Sequence, residues 1–425
     1  MDLTLAQATA PLRGTVSLPG DKSLAHRAVL FAALAEGTSV VRNYPDSGVT
    51  RAMRGALESL GVPSRLEKNV LTLDGQGFHP FPNAGAVAYC GNSATTIRLL
   101  AGVVAGTGST AVLDGSEGLR RRPMDRIAEP LRAMGASIET THGCAPLHLR
   151  PAPLRSAAYS LPVASAQVLS CLQLAALGAS GESHFTAPGP VRDHTVRMLS
   201  SMGADISASA GNRTTVRPLM RPLKPLNGTL PGDISSAAFL LVAAALVFDS
   251  RVTICNVGVN PTRTGILDVL TAMGAKVSIA NAHEEFGEPV GDITLETAPL
   301  HGIDIAGDLV VRSIDEFPVI AAAAACADGV TTVREAKELR YKETDRIAVL
   351  VAQLSALGVE VSEQDDGFTI RGGTLKGGLA RANGDHRLAM SMALCGLRAP
   401  VTVAGAEILN ESFPGFEATL NALRT

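Results

Sequence analysis

A polar phrase followed by an almost unbroken apolar run opens LPGDKSLAHRAVLFAALAEGTSVVRN (18–43), and the pattern returns five times. The later copies are GNSATTIRLLAGVVAGTGSTAVLDG, ASAQVLSCLQLAALGASGESHFTA, GDISSAAFLLVAAALVFDSRVTICNV, IDEFPVIAAAAACADGVTTVREA and GDHRLAMSMALCGLRAPVTVAGA. Each reads as a small polar cap, a helix, a turn and a short strand; the helices are apolar all round and are therefore expected to be buried. The period is about 70 residues, longer than that of solenoid repeats.

After the first five copies comes a second helix with a similar ending: ALESLGV, PLRAMGAS, MLSSMGAD, VLTAMGAK and QLSALGVE. Glycine is the expected stop. Two strand-like runs follow, as in PSRLEKN with VLTLDGQG or VEVSEQ with GFTIRGG. The unit is thus strand, helix, strand, helix, strand, strand. The sixth copy ends at its second helix, FEATLNALRT, while the N-terminal DLTLAQAT resembles VLTLDGQG and belongs to no preceding unit. The first strand is therefore expected to complete the last repeat. Six units divide into two groups of three, giving an α+β protein with one lobe at 14–225 and another formed by 1–13 plus 226–425. The similar lead-ins PLRGTVSLPGD and PLNGTLPGD read as two crossings between lobes.

Of 425 residues, 46% are apolar and 18% charged, enough for a large core. The net charge of −3 excludes a bulk basic field, so neither nucleic acid nor a membrane surface is an expected partner. Cys90, Cys144, Cys171, Cys255, Cys326 and Cys395 show no metal-binding spacing, which points to reduced structural thiols and a cytoplasmic location. The N-terminus lacks the basic-then-apolar order of a secretory signal. The Ala-rich runs 239–247 and 319–326 are too short to span a bilayer as helices.

If each lobe has pseudo-threefold symmetry, equivalent helix starts point the same way, and facing lobes would aim them into one cleft. Helix N-termini favour anions. Asp21, Asn92, Ser165, Asp233 and Asp385 are expected as N-caps. Just beyond the caps stand Lys22, Ser23 and Arg27, then Ser165 and Gln167, then His386 and Arg387. Second-helix starts add Arg122 in RRRPMDR, Arg192 in VRDHT, and Lys342, Glu343 and Arg346 in RYKETDR. One such cation alone is ordinary solvated charge, RRRPM alone a surface run, and Asp315 alone a cap. Their recurrence at equivalent places points instead to two anionic substrates, with Asp315 and Glu343 placed to move protons.

In order along nearly the whole chain, PGDKSLAHR, GNSATT, RRRPM, PVASAQV, RDHT, LPGDISSAAF, NPTRTG, IDEFPV, RYKETDR, GDHRLAM and SFPGF resemble the 5-enolpyruvylshikimate-3-phosphate synthase family. The resemblance implies the two-lobed enolpyruvyl transferase fold, an inside-out α/β barrel with three βαβαββ repeats per lobe. It implies transfer of the enolpyruvyl group of phosphoenolpyruvate to the 5-hydroxyl of shikimate 3-phosphate with release of phosphate. A monomer without metal or organic cofactor is expected.

By motif match, the resemblance implies that Lys22, Ser23, Arg27, Ser165, Ala166, Gln167, Arg192, Asp315 and Lys342 bind shikimate 3-phosphate. Lys22, Ala94, Arg122, Gln167, Glu343, Arg346, His386 and Arg387 would bind phosphoenolpyruvate. Asp315 is the candidate base for the 5-hydroxyl. Lys342 and Glu343 are candidates for proton exchange at C3, with His386 and Lys22 assisting.

Several positions depart from the family pattern. Ala94 stands where many members have Gly, which predicts reduced sensitivity to glyphosate. Leu169, Val191 and Glu411 replace a common Lys, a Ser or Thr, and in some members a phosphoenolpyruvate-binding Lys. These departures raise a noncatalytic binding paralogue as one alternative. UDP-N-acetylglucosamine enolpyruvyl transferase is another, but its usual Lys-Asn pair and reactive loop Cys are missing: Lys22-Ser23 stands in the first motif and RRRPM has no Cys.

Overall fold

In a computed structural model describing residues 1–424, the chain forms two compact units. One comprises Gly20–Leu230 and Glu284–Glu288; the other comprises Met1–Pro19, Pro231–His283 and Pro289–Thr425.

The first unit contains three four-stranded sheets of one design. In the middle one, Ala86–Tyr89 runs parallel to Ala111–Asp114 with helix Ala94–Thr107 between them in sequence. The hairpin Ser137–Thr141 and Cys144–Arg150 adds antiparallel strands. This is the expected βαβαββ order. Helices Lys22–Leu34, Ala94–Thr107 and Ala166–Ala176 fill the core, as their all-round apolar sequences require. Two of them approach closely: a Cβ at Gly102 would lie 2.2 Å from the Cys171 carbonyl oxygen. The hairpin tip at 284–288 belongs here because Glu285 accepts from the Thr229 amide (3.3 Å) and His194 Nδ1 lies 2.8 Å from Glu288 Oε1.

The other unit has two four-stranded sheets and one of three strands. The three-stranded sheet contains the N-terminal strand Asp2–Thr4, antiparallel to Val401–Ala404, so the beginning of the chain does complete the sixth repeat. Helices Ile234–Leu246, Phe317–Ala325 and His386–Cys395 are buried along their whole lengths. The SFPGF segment closes this core. Phe416 stacks edge-to-face on Phe239 and Phe413, with centroids 6.1 and 5.8 Å apart.

Two lead-in strands differ from the expected boundaries. Arg13–Ser17, read as the start of the first lobe, pairs in parallel with Arg251–Gly258 of the fourth repeat. Asn227–Thr229 pairs in parallel with Glu36–Arg42 of the first. Each lead-in therefore finishes a sheet in one unit before its chain enters a helix of the other. Alternating hydrophobicity reveals a strand but not the sheet edge it joins, which is why sequence misplaced them.

The repeated Gly stops behave alike. Gly61, Gly135, Gly203, Gly274 and Gly358 have φ between +83° and +107°, the left-handed turn that ends each second helix.

Candidate active site

In the first unit, chemistry collects at the N-termini of the three buried helices. Asp21 caps the first, accepting from the Leu24 amide at 2.9 Å, and Lys22 is its half-buried first residue. Arg27 lies one turn further in and is 4% exposed. Its Nε donates to Thr195 Oγ1 (2.8 Å), Nη2 to Ser170 Oγ (3.0 Å) and Nη1 to the Ser23 carbonyl (3.0 Å). Ser170 and Thr195 hydroxyls are themselves 2.7 Å apart. A guanidinium so held has a fixed plane, which suits recognition of a phosphate or carboxylate.

His26 joins two helix starts. Its Nδ1 is 2.7 Å from the Lys22 carbonyl and its Nε2 is 3.3 Å from Ser93 Oγ. Burial, reinforced by Lys22 and Arg27, pushes its pKa down to about 4, so it is neutral at physiological pH. The second helix is capped by Ser93, which accepts from the Thr96 amide (3.2 Å), and not by Asn92 as expected. The helix begins at Ala94, one residue too late for Asn92; the Asn92 carboxamide oxygen accepts from Ser116 Oγ instead (3.1 Å). Ala94 is 7% exposed.

Ser165 caps the third helix, and Ala166 and Gln167 follow, all half-buried. Gln167 Oε1 accepts from Arg98 Nη1, while Nε2 donates to Thr95 Oγ1 (3.0 Å). Arg122 is half-buried two residues before Met124, the cap of helix Asp125–Ala133, and Arg192 is half-buried two residues before helix His194–Ser201. Of the departures, Leu169 lies in the core, Val191 is half-buried and Glu411 is exposed.

In the other unit, a dense ion cluster surrounds Arg346. This residue is 1% exposed; Nε donates to Asp385 Oδ2 (2.7 Å) and Nη2 to Glu343 Oε2 (2.8 Å). Its Nη1 has no hydrogen-bond partner among the described residues and lies 3.8 Å from Asp315 Oδ1. Lys342 Nζ is 3.5 Å from the same Asp315 oxygen. Arg387 Nη1 donates to the Asp315 carbonyl (3.0 Å) and lies 3.6 Å from Glu316 Oε1. Asp315, Lys342, Glu343, Arg346 and Arg387 are thereby brought together from three separate motifs. His386 is the first residue of helix His386–Cys395 and is 7% exposed.

Burial raises the Glu343 pKa, but Arg346 and then His386 outweigh it and hold the carboxyl down, to about 2. Glu343 is therefore a carboxylate throughout the working pH range. Because its folded pKa is depressed, the stabilisation it provides is complete above its unfolded value and is lost as pH falls toward 2. Glu343→Gln is expected to lower the melting temperature at pH 6. That deficit should shrink as pH drops from about 4.5 to 2; a deficit of equal size at all these pH values in scanning fluorimetry would contradict the assignment.

Several supporting residues were not singled out from sequence. Asp385 is a cap as expected, accepting from the Arg387 amide (2.8 Å), but it is also a buried counter-ion of Arg346. Asp315 is not a cap: Glu316 holds that position, makes no capping bond, and accepts from Ser235 Oγ. Arg263 Nη2 donates to Ser235 Oγ (3.0 Å), so the fourth repeat's LPGDISS entrance supports Arg387 through Glu316. Arg98 and Ser170 carried a signal, being polar or charged residues inside otherwise apolar phrases where burial demands a partner, whereas Thr195, Arg263 and Glu316 stand among other polar residues and carried none.

The family model for EPSP synthase (3-phosphoshikimate 1-carboxyvinyltransferase) matches residues 6–420. A 3-phosphoshikimate 1-carboxyvinyltransferase from Salinibacter ruber is 46% identical over 421 residues, covering 97% of both chains. That of Roseiflexus castenholzii is 47% identical over 420 residues, again covering 97% of each. A solved structure of EPSP synthase from Acinetobacter baumannii superposes with a TM-score of 0.91 at 38% identity, covering 99% of this chain and 98% of that one. With the same two-lobed α+β fold and a full-length match in sequence, this chain belongs to the EPSP synthase (3-phosphoshikimate 1-carboxyvinyltransferase) family.

Proposed function

We propose that the chain transfers the enolpyruvyl group of phosphoenolpyruvate to the 5-hydroxyl of shikimate 3-phosphate, in the shikimate pathway to aromatic amino acids. The observation that carries this reading is the Asp315 carboxylate held beside Lys342 and Arg346, with Glu343 and Arg387 joined to the same cluster.

The Gly20–Leu230 unit supplies most of the shikimate 3-phosphate contacts through Lys22, Ser23, Arg27, Ser165, Ala166, Gln167 and Arg192, with Ala94 and Arg122 facing phosphoenolpyruvate. The other unit supplies acid–base groups and further phosphoenolpyruvate contacts through Asp315, Lys342, Glu343, Arg346, His386 and Arg387. Asp315 takes the 5-hydroxyl proton as that oxygen bonds to C2 of phosphoenolpyruvate. C3 gains a proton from the Lys342 ammonium, giving a tetrahedral intermediate. Loss of phosphate, with return of a C3 proton to Lys342 and passage of the 5-hydroxyl proton from Asp315 to the departing phosphate, forms the enol ether and restores both groups. Glu343, always anionic here, holds the cationic partners in place while charge develops on the substrate. These groups suffice for proton transfer and charge stabilisation, so the reading includes neither metal nor organic cofactor. We place it as a cytoplasmic monomer; among the described residues no helix is long and apolar enough to cross a membrane.

Proton NMR of a reaction containing both substrates tests the product directly. New vinyl resonances of an enolpyruvyl ether on shikimate 3-phosphate are expected; absence of those signals with intact substrates would refute the reading.

The Ala94 methyl sits at the first residue of its helix, next to the Ser93 cap. It is proposed to crowd glyphosate at the phosphoenolpyruvate subsite. Ala94→Gly is expected to increase inhibition by about tenfold or more, the scale of one methyl in a tight pocket. Equal inhibition of both proteins would contradict this role.

A further inference from the structure

We propose that Arg98 is a positioning residue which, through Gln167, presents an N–H rather than a carbonyl to an anionic substrate; this rests on the proposed function above. Arg98 lies in the second buried helix, 8% exposed amid Ile97, Leu99 and Leu100. A guanidinium at such a place is costly unless paired. Its Nη1 donates to Gln167 Oε1 at 2.5 Å, and its Nη2 makes a longer contact, 3.4 Å, to the Pro123 carbonyl.

The chemistry of the pair fixes the side-chain amide. Arginine has donors only, so the atom of Gln167 that faces it must be the oxygen; turning the amide over would set N–H against N–H. Nε2 then carries two hydrogens, one of which goes to Thr95 Oγ1 at 3.0 Å. The second remains for a phosphate or carboxylate oxygen. Gln167 is the second residue of helix Ala166–Ala176, where backbone amides already favour an anion. Without Arg98 the amide is free to turn its oxygen toward that anion, which repels it.

The competing view is that Arg98 only staples two helices together. A double-mutant cycle separates the two. Arg98→Met, Gln167→Ala and the double variant would be assayed for kcat/KM with phosphoenolpyruvate and with shikimate 3-phosphate in turn, alongside circular dichroism melts. The two losses are expected to be coupled: for at least one substrate, the double variant should retain about fivefold or more activity beyond the product of the single losses. Agreement with that product within twofold for both substrates, or no loss in Arg98→Met, would overturn the proposal. Gln167→Glu supplies a second test that does not depend on Arg98→Met folding. It keeps the partner of Arg98 but replaces the outward N–H with a carboxylate oxygen, so KM for an anionic substrate should rise about tenfold or more without a drop in melting temperature. Unchanged KM values for both substrates would also overturn the proposal. Turnover by the wild-type chain keeps these outcomes separate from failure of the functional reading, which would appear as no turnover at all.

Discussion

Lys22→Met is expected to lower kcat/KM by about three orders of magnitude while leaving the fold intact. Lys22 begins a helix whose first turn is fixed by the Asp21 cap. Its ammonium is proposed to meet both substrates, so its loss removes charge stabilisation from the ground state and from the developing phosphate leaving group. Removing one well-placed donor to such charge typically costs 10²–10³ in rate, and a full positive charge lies at or above the upper end. The side chain is only half-buried, and Met preserves its length and apolar stem. Steady-state rates with each substrate varied, beside a melting curve, provide the check. Activity within tenfold of wild type would remove Lys22 from the reaction centre.

Asp315→Asn is the second large effect, with kcat falling by about 10²–10⁴ and KM values changing much less. The substitution keeps shape but removes the carboxylate proposed as the base. Lys342 at 3.5 Å and Arg346 at 3.8 Å hold the carboxylate in place, and Arg387 grips the backbone of the same residue. Loss of the charge leaves those cations less well balanced, so a modest drop in melting temperature is also expected. A kcat within threefold of wild type would assign the proton transfer to another group. Equal losses in Asp315→Asn and Asp315→Ala, against a smaller loss in Asp315→Glu, would confirm that ionisation rather than shape is required.

Much of the architecture was legible because it repeats. The uniformly apolar helices, their Gly stops and the orphaned first strand all follow from the period of the pattern, and the strand pairing of Asp2–Thr4 agrees with it. What the pattern lacked was partner choice. Arg13–Ser17 and Asn227–Thr229 are recognisable strands whose sheet edges depend on tertiary contacts. The Asn92 cap was misread by one residue because both Asn and Ser favour that position, and only the observed helix start distinguishes them.

The site was legible to a different depth. Cations at helix starts stood out as breaks in an apolar theme, whereas the residues that orient them did not. Asp385 reads as an ordinary cap in sequence although it also pairs with Arg346, and Ser235 stands in a helix entrance, LPGDISSAAF, that carries no cation. Such residues reveal themselves through three-dimensional pairing of buried polar groups, which one sequence does not specify. Cys90 illustrates the opposite case. It lies close in sequence to GNSATT, but it is wholly buried and burial drives its thiol pKa far upward, as befits a structural rather than a reactive cysteine.

The central claim concerns the acceptor, and phosphate release from phosphoenolpyruvate measures it most directly when shikimate 3-phosphate and UDP-N-acetylglucosamine are compared side by side. The account predicts rapid release with shikimate 3-phosphate and none above background with the sugar nucleotide. Release only with UDP-N-acetylglucosamine, or with neither acceptor, would contradict it.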